Sequence, residues 1–156
     1  MRIKVIAVGK LKENYLREAI THYSRGIKKH CQFQIIEVSD ERAPEKYSSI
    51  EIERVRIKEG EKILHHVDVL SYVIALVIKG KKKTTEELQR DIEKINNLYN
   101  KEIIFIIGGS NGLSPEVLKR ANDNLSFSPM TFPHQLMRVI LLEQIEKVIS
   151  GSNSLV

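Results

Sequence analysis

Four apolar runs alternate with segments of helical pattern, and that alternation restricts the fold more than any other feature of the chain. "IKVIAV" (3–8), "FQIIEV" (33–38), "YVIALVI" (72–78) and "IIFIIGG" (103–109) are rich in β-branched residues and nearly continuous in apolar character, as in strands covered on both faces. Between them lie helices. "LKENYLREAITHYSRGIKKH" sets Leu11, Tyr15, Leu16, Ala19, Ile20 and Tyr23 at three- and four-residue spacing, one apolar stripe on a polar helix. "TTEELQRDIEKINNLY" opens with a capping box, Thr84 three residues before Glu87, and then places Leu88, Ile92, Ile95 and Leu98 on one side. "SPEVLKRAN" starts with Ser114 as N-cap and Pro115 at the first helical position. "PHQLMRVILLEQIEKVIS" (133–150) is apolar on more than one face, as in a helix with both a core and a neighbouring subunit to cover. Strands alternating with helices predict an α/β fold, a largely parallel sheet with helices on both faces, and 156 residues predict one domain, 1–156.

Composition narrows the setting. With 42% hydrophobic and 29% charged residues the chain reads as a soluble globular protein, and no apolar run approaches the roughly 20 residues of a membrane span. The start "MRIKVIAVGK" is too short and charged for a signal peptide and reads as a first strand, so a cytoplasmic location is expected. The single Cys31 rules out an internal disulfide or a cysteine-based metal cluster and reads as a small buried residue. His65 and His66, adjacent on a helix, are expected to point apart, and His22, His30 and His134 are scattered, so no metal is expected. The net charge of +5 favours an anionic partner such as RNA. The mixed-sign stretch "ERAPEKYSSIEIERVRIKEGEKILHH" reads as a loop leading into a solvated helix.

"FIIGGSNGLS" (105–114) ends a strand in glycines at the carboxyl edge of the sheet, where open α/β folds bind ligands. Known phosphate motifs fail here. G-x-G-x-x-G requires a glycine where the chain has Ser110, and the P-loop requires a lysine where it has Leu113. A glycine-rich turn that simply joins strand to helix explains the glycines equally well. "NLSFSPMTFPHQLMR" adds a strand-like "LSF" and a loop of Ser, Pro, Met and Thr, offering backbone donors and acceptors in an apolar lining, which suits an adenine ring better than a triphosphate.

"IGGSNGLS", "LSFSPMTFPHQLMRVILLEQI", "IKVIAVGKLKENYL" and "DERAPE…KEGEKIL", in that company and spread from Met1 to about Ile145, resemble the RlmH family of SPOUT-class methyltransferases. The resemblance implies a SPOUT fold with a C-terminal trefoil knot, a homodimer, and transfer of methyl from S-adenosyl-L-methionine to N3 of a pseudouridine in 23S rRNA of the 70S ribosome. Periodicity could not have shown a knot, and the rule that chains avoid threading loops argues against predicting one. The family's cofactor loops fall here on Leu76, on Gly108 and Gly109, and on the run Phe127, Ser128, Pro129, Met130, Thr131 and Phe132. Glycine would then let the backbone approach a bent cofactor, with no phosphate to cradle.

The chemistry asks for positioning of the acceptor nitrogen and removal of its proton. His134 reads either as a first-turn residue that bonds the loop, the weightier reading, or as the general base; Arg138 either steadies the cofactor carboxylate or an RNA phosphate, or pairs with Glu143 or another acid. These are the candidate catalytic residues. "KGKKK" (79–83) and Arg17, Arg25, Lys28 and Lys29 could meet phosphates or simply be solvated. The chain departs from the family at its end: "EQIEKVISGSNSLV" has Glu146 and Lys147 where Tyr and Arg are expected, and lacks the Pro-Tyr-His-basic tail associated with closing the site and engaging RNA. Three readings follow: an active rRNA methyltransferase, a cofactor-binding dimeric relative with impaired turnover, and a flavodoxin-like nucleotide-binding domain.

Overall fold

The computed structural model describes residues 1–42 and 48–151. The end of the "DERAPE" segment and the tail from Ser152 lie outside the described residues. Strands β1 (Arg2–Val8), β2 (Gln32–Val38), β3 (Tyr72–Lys82), β4 (Ile103–Ile107) and β5 (Asp123–Ser126) alternate with helices α1 (Asn14–Lys28), α2 (Ser49–His65), α3 (Thr85–Tyr99), α4 (Pro115–Arg120) and α5 (His134–Ile149). They form one parallel sheet of order β2-β1-β4-β3-β5, the α/β architecture expected.

The local signals act as their chemistry requires. The Thr84 hydroxyl accepts from Glu87 N at 3.1 Å, and Ser114 accepts from Val117 N at 3.3 Å, satisfying amide donors that the first helical turn leaves unpaired. Strand alternation sorts side chains onto two cores. Ile3, Val5, Ala7 and Phe105 pack with α1, α3 and α5, whereas Ile6, Val8, Ile104 and Ile106 pack with α2 and α4. The central strand β4 is buried throughout, while β2, at the sheet edge, buries only Val38 fully. Covering on both faces thus holds for the middle of the sheet and not for its edge.

Three details differ from the sequence-based expectation. Tyr15 and Leu98, placed on apolar stripes by their spacing, are 68% and 65% exposed because each stripe is wider than the contact its helix makes. "KGKKK" is not a turn beyond β3: Lys79 to Lys82 belong to the strand. Leu76 and Lys81 both pair with Leu125, so residues 77–80 are looped out of the ladder. At the return, a Cβ on Gly80 would lie 2.9 Å from backbone atoms of Asn124 and Leu125, which only glycine avoids.

The last helix, α5, lies against α1 and α3 and buries Leu141, Leu142, Ile145 and Val148. Flanking helices of the same chain therefore cover part of the second apolar side. The Glu146 carboxyl sits where a Cβ on Gly26 of α1 would have to go, and Lys147 pairs with Glu143 at 2.9 Å. Thr84→Ala, which removes the cap of α3, is expected to lower unfolding free energy by about 1 kcal/mol with an unchanged denaturant slope in urea titration.

Candidate active site

A cleft of about 780 Å³ opens at the carboxyl ends of β3, β4 and β5. One wall is Leu76 of β3 with the looped-out residues that follow it, Val77 to Lys79; a second is the turn from Gly108 to Leu113 after β4. The third is the segment after β5, with Phe127, Ser128, Met130, Thr131 and Phe132, continuing to Pro133, His134 and Met137 at the start of α5. Of the cofactor-loop residues expected from the sequence, Pro129 alone is not on the wall.

The glycine turn has a double cause. Gly112 has φ +79°, in the left-handed region that favours glycine, and its N–H donates to Gly109 O at 3.1 Å, closing a tight turn. A Cβ on Gly108 would lie 3.0 Å from the Leu113 side chain, so this position is bare because the turn folds back onto it. In the third wall, Ser126 Oγ donates to Ser128 O at 3.1 Å and Ser128 Oγ accepts from Met130 N at 3.0 Å, and these bonds give a loop without helical period its shape.

The whole of this architecture lies within the span of one family model, described as "Predicted SPOUT methyltransferase", which matches residues 1–150. A relative from Ligilactobacillus salivarius, named "Ribosomal RNA large subunit methyltransferase H", is 52% identical over 145 residues, covering 93% of this chain and 91% of that protein. The chain belongs to the SPOUT methyltransferases, and within them to the RlmH family. A namesake from Limosilactobacillus reuteri is 48% identical over 155 residues, 99% of this chain and 98% of its own length. Among solved structures, a methyltransferase from Legionella pneumophila in complex with the bound cofactor SAM superposes with TM-score 0.50 at 12% identity, over 94% of this chain and 66% of that one. At that identity the likeness is one of fold.

Within this SPOUT methyltransferase the two candidate catalytic residues part company. His134 lines the cleft. Arg138 does not: it is 2% exposed, pairs with Glu37 at 2.7 Å, and donates to Gly9 O at 3.0 Å and Val8 O at 3.4 Å. Of the two readings of Arg138 the ion pair is the one observed, with Glu37 as the acid instead of Glu143, and the result is a clamp. Glu37 also accepts from Leu11 N at 3.1 Å, so α5, one turn past His134, is tied to the ends of β1 and β2. Residues four apart share a helix face, but the long Arg138 side chain reaches from there to Glu37 and the end of β1 instead of into the cleft.

Other cations are also committed. Lys83, 9% exposed, pairs with Asp123 at 2.6 Å and Asp91 at 2.5 Å. Burial pulls its pKa down, but hydrogen bonds to the two carboxylates outweigh this and raise it. Arg17 donates to Lys12 O and Asn14 Oδ1 at the start of α1. His65 and His66 do not point apart: their rings meet edge to face, centroids 5.4 Å apart. Among the described residues no group of three metal-binding side chains occurs, and no helix is long and apolar enough to cross a membrane.

The sequence reading missed two residues of the charge-dense helix. Arg56 lines the cleft and its Nε donates to Asn111 O in the glycine turn. Glu59 is 4% exposed; its Oε2 accepts from Glu41 N at 3.0 Å while its Oε1 has no partner among the described residues. Burial raises the Glu59 pKa. Val55, Glu59, Gly60 and Ile63 are the buried positions of α2, so a carboxylate on an otherwise apolar stripe was the available signal, hidden by surrounding charges.

Removing Arg138 strips the partner from Glu37 and two carbonyls. Arg138→Met is expected to cost about 3 kcal/mol in denaturant unfolding, the low end for breaking a buried pair because Glu37 reaches solvent. For Glu59 the folded state holds its proton more tightly than the unfolded chain. The stability this gives is full below the ordinary value of 4.5 and is lost as pH rises through the raised folded value. Glu59→Gln keeps an acceptor for Glu41 N without a charge, so its melting temperature relative to the parent is expected to rise from acidic to mildly alkaline pH; a pH-independent difference would contradict this.

Proposed function

We propose that this chain transfers methyl from S-adenosyl-L-methionine to N3 of a pseudouridine in 23S rRNA of the 70S ribosome. It does so in the cytoplasm as a homodimer of single-domain subunits, 1–156, whose C-terminal part is knotted. One observation carries the reading: three chain segments far apart in sequence, one within β3 and the others after β4 and β5, close around a single cleft in a chain about half identical to proteins named as rRNA large subunit methyltransferases. The path supports the knot, since α5 follows an edge strand yet returns to pack between α1 and α3.

The residues present suit such a cofactor. The cleft volume falls in the range of small-molecule sites, its walls are largely apolar, and bare backbone at Gly108 to Gly112 and the bonded loop 126–130 present amide donors and carbonyls to a purine edge. When bound, the cofactor supplies a methyl group already activated on a sulfonium. Leu76, Gly108, Gly109, Phe127, Ser128, Met130, Thr131 and Phe132 would hold it, and Met137 would help to keep water from the reacting centre. His134 takes up the imide proton of the target base, so that N3 becomes a nucleophile. The clamp from Arg138 to Glu37 fixes the first turns of α5 and thereby the imidazole.

Transfer of labelled methyl to undermethylated 70S ribosomes tests the reading, with calorimetry of cofactor binding on the same sample. Label is expected in 23S rRNA at a pseudouridine, and His134→Ala is expected to lower kcat by about 10²-fold or more with cofactor affinity kept. Binding without transfer would instead support the impaired relative, a reading favoured by Glu146 and Lys147, which pack on Gly26 and pair with Glu143. Neither binding nor transfer would overturn both.

A further inference from the structure

The charge of the cleft is one-sided. Its described lining contains no Asp or Glu, while Arg56 and Lys79 both stand on it. The cofactor is itself a sulfonium cation, so a carboxylate-free wall with permanent positive charges calls for an anion from elsewhere.

The two cations are held ready. Arg56, half-buried on α2, spends its Nε on Asn111 O, which fixes the plane of the guanidinium; among the described residues its two terminal nitrogens make no hydrogen bond or ion pair. Lys79 lies in the looped-out stretch of β3, exposed and likewise without a described partner. Lys83, four positions on, shows the contrast, being neutralised by two carboxylates. A nucleotide whose base enters a pocket brings the phosphates on either side of it to the rim.

Resting on the reading that the cleft receives an RNA nucleotide, we propose that Arg56 and Lys79 are the phosphate contacts of the target nucleotide. Arg56 offers a two-pronged donor to one phosphate and Lys79 a point charge to the other. Because Arg56 is bonded to the glycine turn, seating the phosphate also steadies the Gly109 to Gly112 turn on the cofactor side of the cleft.

The test uses the full chain with Arg56→Gln, Lys79→Gln and the double variant, assayed for methyl transfer to undermethylated 70S ribosomes over a range of KCl. Each single variant is expected to raise KM for ribosomes about fivefold and to flatten the dependence of log(kcat/KM) on log[KCl] by about 0.7. For Lys79→Gln, at a position without a described bond to the glycine turn, calorimetric cofactor affinity and kcat are expected to stay. Arg56→Lys, which keeps the charge but not the fork, should retain the salt slope and recover only part of the KM. Weakened cofactor binding with unchanged ribosome KM would overturn the proposal and assign the cations to the cofactor's carboxylate; no change in either would overturn it outright. Should Arg56→Gln fail to fold by melting, Lys79→Gln, at an exposed position, decides alone. If the parent transfers no methyl, the functional reading fails, and co-sedimentation of parent and variants with ribosomes still decides the role of the cations.

Discussion

Everything in this molecule is hung on β4. Its five residues, Ile103 to Ile107, are buried on both faces between β1 and β3, so the strand cannot shift by one residue without exchanging the two cores. Its end is therefore fixed, and with it Gly108 and the turn that follows. A cleft that must hold a reactive cofactor needs such an origin, since loops alone do not position atoms to a fraction of an ångström.

Around that origin the site is finished by departures from regular structure. The four-residue excursion of β3 lifts residues 77–80 out of the ladder, and Gly80 permits the return against Asn124. The loop after β5 is shaped by two serine bonds, and the first turns of α5 are held by Arg138 against Glu37. Each is a polar or conformational device at a strand end, built on an apolar scaffold that supplies the free energy.

Much of this was legible in the chain. Four strands and four helices follow from periodicity and caps, the fifth of each being visible only as a strand-like "LSF" and a solvated helix, and the quoted motifs led to the RlmH family, to which the chain belongs. The side chains were harder. Arg138 stood between a cofactor or RNA contact and an ion pair because nothing local names Glu37, and Arg56 and Glu59 were lost in a helix of mixed charge. A charged residue's neighbours in sequence say little about its partner when that partner sits 101 positions away, as Glu37 does from Arg138.

By itself the sequence determined the elements, their order, the tight turn at Gly112 and the lineage, because backbone preference and side-chain periodicity are set within a few residues. Tertiary structure alone decided that β4 is central, that β3 loops out beside β5, which cations are neutralised, and which remain open on the cleft. Those outcomes depend on which distant surfaces exclude water from one another, and no local pattern encodes that choice.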